Sequence, residues 1–97
     1  MHVLALRTVK KFWLRHPDAR QALRAWYFEA RNATWTKVAD VKDRYPSVRA
    51  VSSERLVFNV CGNTYRLIVR VNYASGTLFV RFVGAHAAYG RIKADQI

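Results

Sequence analysis

The side chains able to do chemistry in this chain are few and unevenly balanced: three histidines, one cysteine and six carboxylates stand against 17 lysines and arginines. The histidines, cysteine and acids show no recognisable metal-ligand spacing, so no metal and no cofactor are expected. A Gly-rich phosphate loop, a nucleophile elbow and a paired-carboxylate site are equally missing from the sequence. Cys61 has no evident partner base and reads as a small inert residue beside a turn. His16 falls on an apolar stripe and reads as a packing residue, and His2 belongs to the amino-terminal end. His86 is the titratable candidate that is left, and an imidazole ordinarily titrates near neutrality. The inventory suits acid–base chemistry without a metal.

The cations dominate everything else. A net charge of +11 over 97 residues makes a strong positive field, which speaks to partners rather than to fold. Most of these cations are arginines interleaved with aromatics in structured segments. A Lys-rich run beside an amphipathic anchor would suit a membrane surface, and none is present. A polyanion, RNA above all, is the expected partner, with no membrane role. One cysteine cannot form an internal disulfide. The apolar stretch at residues 1–7 is too short for a signal peptide, and no later run reaches the length of a membrane span. A cytoplasmic protein is therefore expected, with a single domain over residues 1–97. The hydrophobic fraction of 52% is enough for one core and argues against disorder.

The elements that must position these groups are read from periodicity. Val3, Leu4 and Leu6 predict a first strand ending near Arg7. Thr8 is placed to cap a helix with the stripe Val9, Phe12, Trp13 and His16. After His16-Pro17, Asp18 and Gln21 resemble a capping box for a second helix reaching about Asn32, with Leu23 and Trp26 on its buried face. Trp13 and Trp26 read as core. A third helix is expected from about Thr36 to just before Tyr45-Pro46, with Trp35 near its start as a packing residue. Residues 47–53 read as loop. From Arg55 the period becomes twofold, predicting strands at 56–60, 65–73 and 78–83 joined by turns at Gly62-Asn63 and Ser75-Gly76. Residues 85–97 read as a short helix or an ordered loop. Helices followed by an antiparallel meander make an α+β domain.

Two-residue hairpin loops would set Phe58 opposite Leu67, Val69 opposite Phe82 and Val71 opposite Val80. One face then carries Leu56, Phe58, Val60, Tyr65, Leu67, Val69, Val71, Tyr73, Leu78, Val80 and Phe82, and should receive the helices. The other face gathers Arg55, Arg70 and Arg81 on three adjacent strands, with Arg66 beside Asn59. Like charges side by side on a sheet are unfavourable, and no acid occurs between Arg55 and Lys93. A floor of arginine forks for phosphate oxygens accounts for that arrangement better than solvated charge does.

Several ordered stretches resemble one family. Phe12-Trp13, His16-Pro17-Asp18 and Leu23-Arg24-Ala25-Trp26-Tyr27 are similar to the amino-terminal half of the HigB toxins of bacterial type II toxin–antitoxin systems. Val57-Phe58-Asn59-Val60, Gly62-Asn63, Tyr65 to Val69, Asn72-Tyr73, Gly76-Thr77 and Arg81 to Tyr89 resemble its carboxy-terminal half more closely. The resemblance implies a RelE-like fold, with a sheet backed by helices. It also implies an mRNA interferase that cleaves messenger RNA on the translating ribosome and is blocked by a HigA-type antitoxin carrying a helix-turn-helix. Operator DNA would be met only through that antitoxin. Where the family pattern usually has a glutamate before the tyrosine and an aspartate after it, this chain has Ala88 and Gly90.

RNA can be cut by its own 2′-hydroxyl once that group is deprotonated, the phosphate neutralised and the leaving oxygen protonated. His86 is the candidate acid or base, and Tyr89 either stacks on a base, donates a proton or packs the tail. Arg66 and Arg81 would neutralise the phosphate, completing the catalytic set. Arg55, Arg70, Arg91 and Lys93 would hold or guide the RNA. The competing reading is a non-enzymatic RNA-binding module that uses the same arginine face and needs no titratable group. A scaffold for an acidic protein ranks behind both.

Overall fold

The computed structural model describes residues 1–97. A short strand, β1 (His2–Leu4), turns through Ala5 directly into α1 (Leu6–Arg15). Ala5 takes a φ of 65°, a left-handed conformation that costs a residue with a Cβ roughly 1–3 kcal/mol. The expected Thr8 cap is therefore not made. The helix starts before Thr8, whose backbone N–H donates to the Ala5 carbonyl over 3.0 Å. The predicted stripe nonetheless faces inward: Val9 is fully buried and Phe12 and Trp13 pack on the core.

A single 3₁₀ turn at Pro17–Ala19 leads into α2 (Arg20–Asn32), which buries Leu23, Trp26 and Ala30. Asp18 does not cap it. Its carboxylate instead accepts the Tyr65 hydroxyl at 2.8 and 2.9 Å, joining the helix layer to the sheet and raising the tyrosine's pKa. The third helix, α3 (Val38–Arg44), stops before Tyr45-Pro46 as its sequence predicts. Ahead of it, the Thr36 backbone N–H and hydroxyl donate to the Asp40 carboxylate at 2.9 and 3.0 Å. Those bonds lower the Asp40 pKa.

Residues 47–53 are not simply loop. They contain an edge strand, β2 (Arg49–Ser52), which pairs antiparallel with β3 (Arg55–Val60). Only Ala50 and Val51 are apolar there, so no alternation announces the strand. Backbone pairing to its neighbour makes it. With β4 (Tyr65–Asn72) and β5 (Thr77–Ala85) the sheet runs β1-β5-β4-β3-β2. All neighbours are antiparallel except β1 and β5. This is the expected α+β architecture, a mixed and mostly antiparallel open sheet with α1, α2 and α3 on one face.

The inner face carries the main core. Leu56, Phe58, Leu67, Val69, Leu78 and Val80 are buried against Leu23 and Trp26, with Trp26 edge-on to Phe58 at 5.6 Å between ring centres. Tyr45 meets the same ring at 5.3 Å. Each such side chain is worth about 1.5–3 kcal/mol relative to exposure. No helix is long and apolar enough to cross a membrane.

The first hairpin has the predicted register, with Phe58 opposite Leu67 and Arg55 opposite Arg70. The second does not. Its innermost pair is Asn72 with Thr77 because the turn is centred on Ala74-Ser75, where the Gly76 N–H donates to the Tyr73 carbonyl over 3.3 Å, and a bulge then shifts the register: Val69 pairs with Val80 but Ile68 pairs with Phe82. Arg81 is the extra residue. A bulge places two residues against one and flips everything beyond it. Phe82 accordingly joins Val57 and Ile68 on the outer face, and Val83 turns in to the core. Val80-Arg81-Phe82-Val83 carries apolar residues at both parities, so hydrophobic patterning alone favours the unbulged register there.

Candidate functional site

The outer face of the sheet has an apolar centre and two charged ends. Its centre is Val57 and Ile68, both buried, with Phe82 beside them. Tyr89, Ile92, Ala94 and Ile97 pack over these residues from α4 (His86–Tyr89) and the segment that follows it. Gly84 belongs to the same packing. A Cβ there would lie 2.5 Å from Phe82 Cζ, so the ring occupies the space that glycine leaves open.

At one end, β4, the β3–β4 turn and α4 converge. The Arg66 guanidinium carbon lies 5.8 Å from the centre of the Tyr89 ring. Tyr89 in turn lies nearly parallel to His86, with ring centres 6.4 Å apart and planes inclined by 19°. Arg66 Nη1 donates to the carbonyls of Asn63 and Tyr65 at 3.0 and 3.2 Å, which fixes its direction. The His86 backbone N–H donates to the Thr64 carbonyl over 3.2 Å, tethering the start of α4 to the turn. The imidazole is exposed and the Tyr89 ring half-buried. A cation, a phenol and an imidazole thus share one rim, open to a large substrate.

At the other end, Arg55 and Arg70 face each other across β3 and β4. They are not left to repel. Glu54, one residue before the acid-free segment, sets a carboxylate oxygen 3.6 Å from Arg55 and 3.3 Å from Arg70. Arg55 Nε also donates to the Ile97 carbonyl over 2.6 Å, and only 14% of its side chain is exposed. Arg70 is 56% exposed. The expectation of an unneutralised arginine floor is corrected to this extent: one arginine is clamped beneath the tail, and its neighbour shares the same carboxylate.

Arg81 lies on the same face as Arg70, but not beside it. The residue opposite Arg70 on β5 is Phe79, and the Arg81 guanidinium sits over the Phe79 ring at 5.1 Å. Of the four candidate catalytic residues, Arg66, Tyr89 and His86 come together, and Arg81 belongs to the second group. Arg66 and Arg70 are separated by four residues of one strand, roughly 13 Å. Arg91 and Lys93 are exposed on the segment that crosses the apolar centre.

No three His, Cys, Asp or Glu side chains gather so as to hold a metal ion. Cys61 donates through Sγ to the Asp18 carbonyl at 3.2 Å. Burial, with the Asp18 charge nearby, pushes its thiol pKa up and keeps it protonated and unreactive. His16 stacks on Phe12 at 4.3 Å and meets Tyr65 edge-on, a packing role as expected. Two contributors escaped the sequence reading, Glu54 and Phe79. Phe79 was within reach, since it stands two residues from Arg81 and twofold alternation puts both on one face. Glu54 lies in a turn whose neighbours only the sheet defines.

A mixed sheet backed by helices, with a basic outer face closed by a short terminal helix, fits a RelE-like fold. A family model described as HigB_toxin, the RelE-like toxic component of a toxin–antitoxin system, matches residues 19–92. The chain belongs to the HigB toxin family, and it is the toxic member of a toxin–antitoxin pair. A search of curated proteins returned no significant match.

Proposed function

We propose that the protein is an endoribonuclease, an mRNA interferase that cleaves messenger RNA on the translating ribosome and is neutralised by a HigA-type helix-turn-helix antitoxin. The observation that carries this reading is the convergence of Arg66, Tyr89 and His86 on one exposed rim. His86 takes the proton of a ribose 2′-hydroxyl, and the freed oxygen attacks the adjacent phosphorus. The bond from phosphorus to the 5′-oxygen of the next nucleotide breaks, leaving a cyclic phosphate and a hydroxyl end. Tyr89, stacked beside His86, supplies the proton to the leaving oxygen. Arg66 neutralises the charge that builds on the phosphate, where a fixed donor has its largest effect. Arg70, Arg81, Arg91 and Lys93 hold the strand on either side, while Arg55 is taken up by the Ile97 carbonyl and Glu54.

The second reading, RNA binding without cleavage, has one observation in its favour. Ala88 and Gly90 flank Tyr89 where the family pattern usually has carboxylates. Expression of the chain without its antitoxin separates the two. New 5′ ends within coding regions, mapped by primer extension, are expected together with growth arrest. Folded His86→Ala protein should bind RNA as before and cut about two to four orders of magnitude more slowly. Intact messages and normal growth at confirmed soluble expression would leave only the binding reading. Cutting at the original rate by His86→Ala would remove His86 from the mechanism.

A further inference from the structure

We propose that Phe79, Arg70 and the shallow cavity beside them form a nucleobase-binding subsite that takes one base of single-stranded RNA, apart from the Arg66–Tyr89–His86 rim. The subsite rests on the RNA reading above and adds a specificity element to it. Across the sheet, Leu4 lies opposite Phe79, Phe79 opposite Arg70 and Arg70 opposite Arg55. An apolar residue, an aromatic ring and two cations therefore stand in one row on one face. Phe79 is 40% exposed, and Arg81 lies over its ring at 5.1 Å. A cavity of about 260 Å³ adjoins the ring, lined by Leu4, Arg70, Asn72, Thr77 and Phe79.

A single exposed phenylalanine needs no functional account. This one is different because each neighbour matches a part of a nucleotide. The ring offers a stacking platform that every base can use once the Arg81 guanidinium lying over it turns to a phosphate. The guanidinium groups of Arg70 and Arg81 are placed for the phosphates on either side. Asn72 Oδ1 is already taken, accepting from the Ser75 backbone N–H at 3.0 Å. Its amide N–H groups are thereby directed elsewhere and can donate to a base edge. A base seated here would lie roughly 13 Å along the sheet from a phosphate held at Arg66, with Arg91 and Lys93 exposed on the segment between.

The test is binding of fluorescent single-stranded RNA oligonucleotides by the full chain across a salt series. Phe79→Ala should weaken binding roughly 5- to 150-fold, the usual worth of one stacked base. It should leave the salt slope unchanged, since no charge is lost. Arg81→Ala should make the slope shallower. Phe79→Trp should keep the affinity, and RNA should quench its added fluorescence. Replacing each nucleotide in turn by an abasic one should reveal one position that matters to the native chain and not to Phe79→Ala. If the native chain binds RNA, and folded Phe79→Ala binds equally well with no such position, the subsite is overturned while the RNA reading stands. If the native chain binds no RNA at low salt, the RNA reading itself fails and the subsite falls with it.

Discussion

On β4, Leu67 and Ile68 are neighbours in sequence and both are fully buried, but by different means. Leu67 points into a layer built by α1, α2 and α3, where Leu23, Trp26 and Phe58 hold fixed positions from several elements. Ile68 points the other way and is covered by one short helix and the segment after it. That cover is attached lightly. The polar bonds within residues 88–97 are local, and the Arg55 bond to Ile97 crosses back to the sheet. The inner face is a core in the ordinary sense. The outer face is a basic surface with an apolar patch under a strap, and α4, which carries His86 and Tyr89, is one end of that strap.

The largest expected effect comes from breaking the rigid side. Leu67→Ala should destabilise the protein by about 2–5 kcal/mol, because the packed layers cannot collapse into the void. Ile68→Ala removes as much apolar surface, but the strap can settle toward the sheet. Its cost should lie at or below the low end of that range, about 2 kcal/mol. Equal losses in urea melts would mean that the strap is as firmly held as the helices.

A smaller stability effect and a larger functional one are expected from Ile92→Ala. Ile92 packs on the outer cluster from the strap alone. Its truncation should cost on the order of 1–2 kcal/mol and loosen α4. Cleavage should therefore fall by more than global stability predicts, measured as rate against melting midpoint for the same preparation. A rate that merely follows the folded fraction would argue that the strap does not position His86 and Tyr89.

The inner face should also be the one that fails at high pH. Burial pushes the Tyr45 hydroxyl well above the ordinary tyrosine range, with the Glu29 carboxylate adding to it. A group whose folded pKa is raised contributes stability that is complete below its unfolded value, about 10. That stability is lost as the pH climbs from there toward the folded value. Unfolding by alkali should begin above about pH 10, and Tyr45→Phe should flatten the fall. A stability profile between pH 9 and 12 that is the same for both proteins would remove Tyr45 as the cause.

Glu54→Gln should have the smallest effect on folding. Exposed ion pairs contribute about 0–1 kcal/mol, so the melting midpoint should hardly move. Arg70 would be freed, however, and the native pairing of Arg55 would be left to the Ile97 carbonyl. RNA affinity should rise slightly and become more salt-dependent. An unchanged or weaker affinity would show that Glu54 orients the arginines rather than competing for them.

Much of this protein was legible from its residues one by one. The helical stripe of Val9, Phe12 and Trp13, the buried spacing of Leu23 and Trp26, and the inner-face series Leu56, Phe58, Val60 and Leu67, Val69, Val71 each repeat one clear period. Local periodicity of that kind decides which side is buried wherever a single face is apolar. The charge excess likewise needed no coordinates, because net charge does not depend on fold. Tertiary structure decided what local pattern leaves open. The edge strand at Arg49–Ser52 exists because β3 offers it a pairing edge. The bulge at Arg81 moves Phe82 to the outer face, where the strap needs a partner. Glu54 reaches two arginines only because β3 and β4 bring them together. Arg66 lies far along the chain from His86 and Tyr89, and whether it meets them depends on α4 being tethered to the β3–β4 turn. Periodicity reports on near neighbours, while a site built from distant segments is set by how those segments pack.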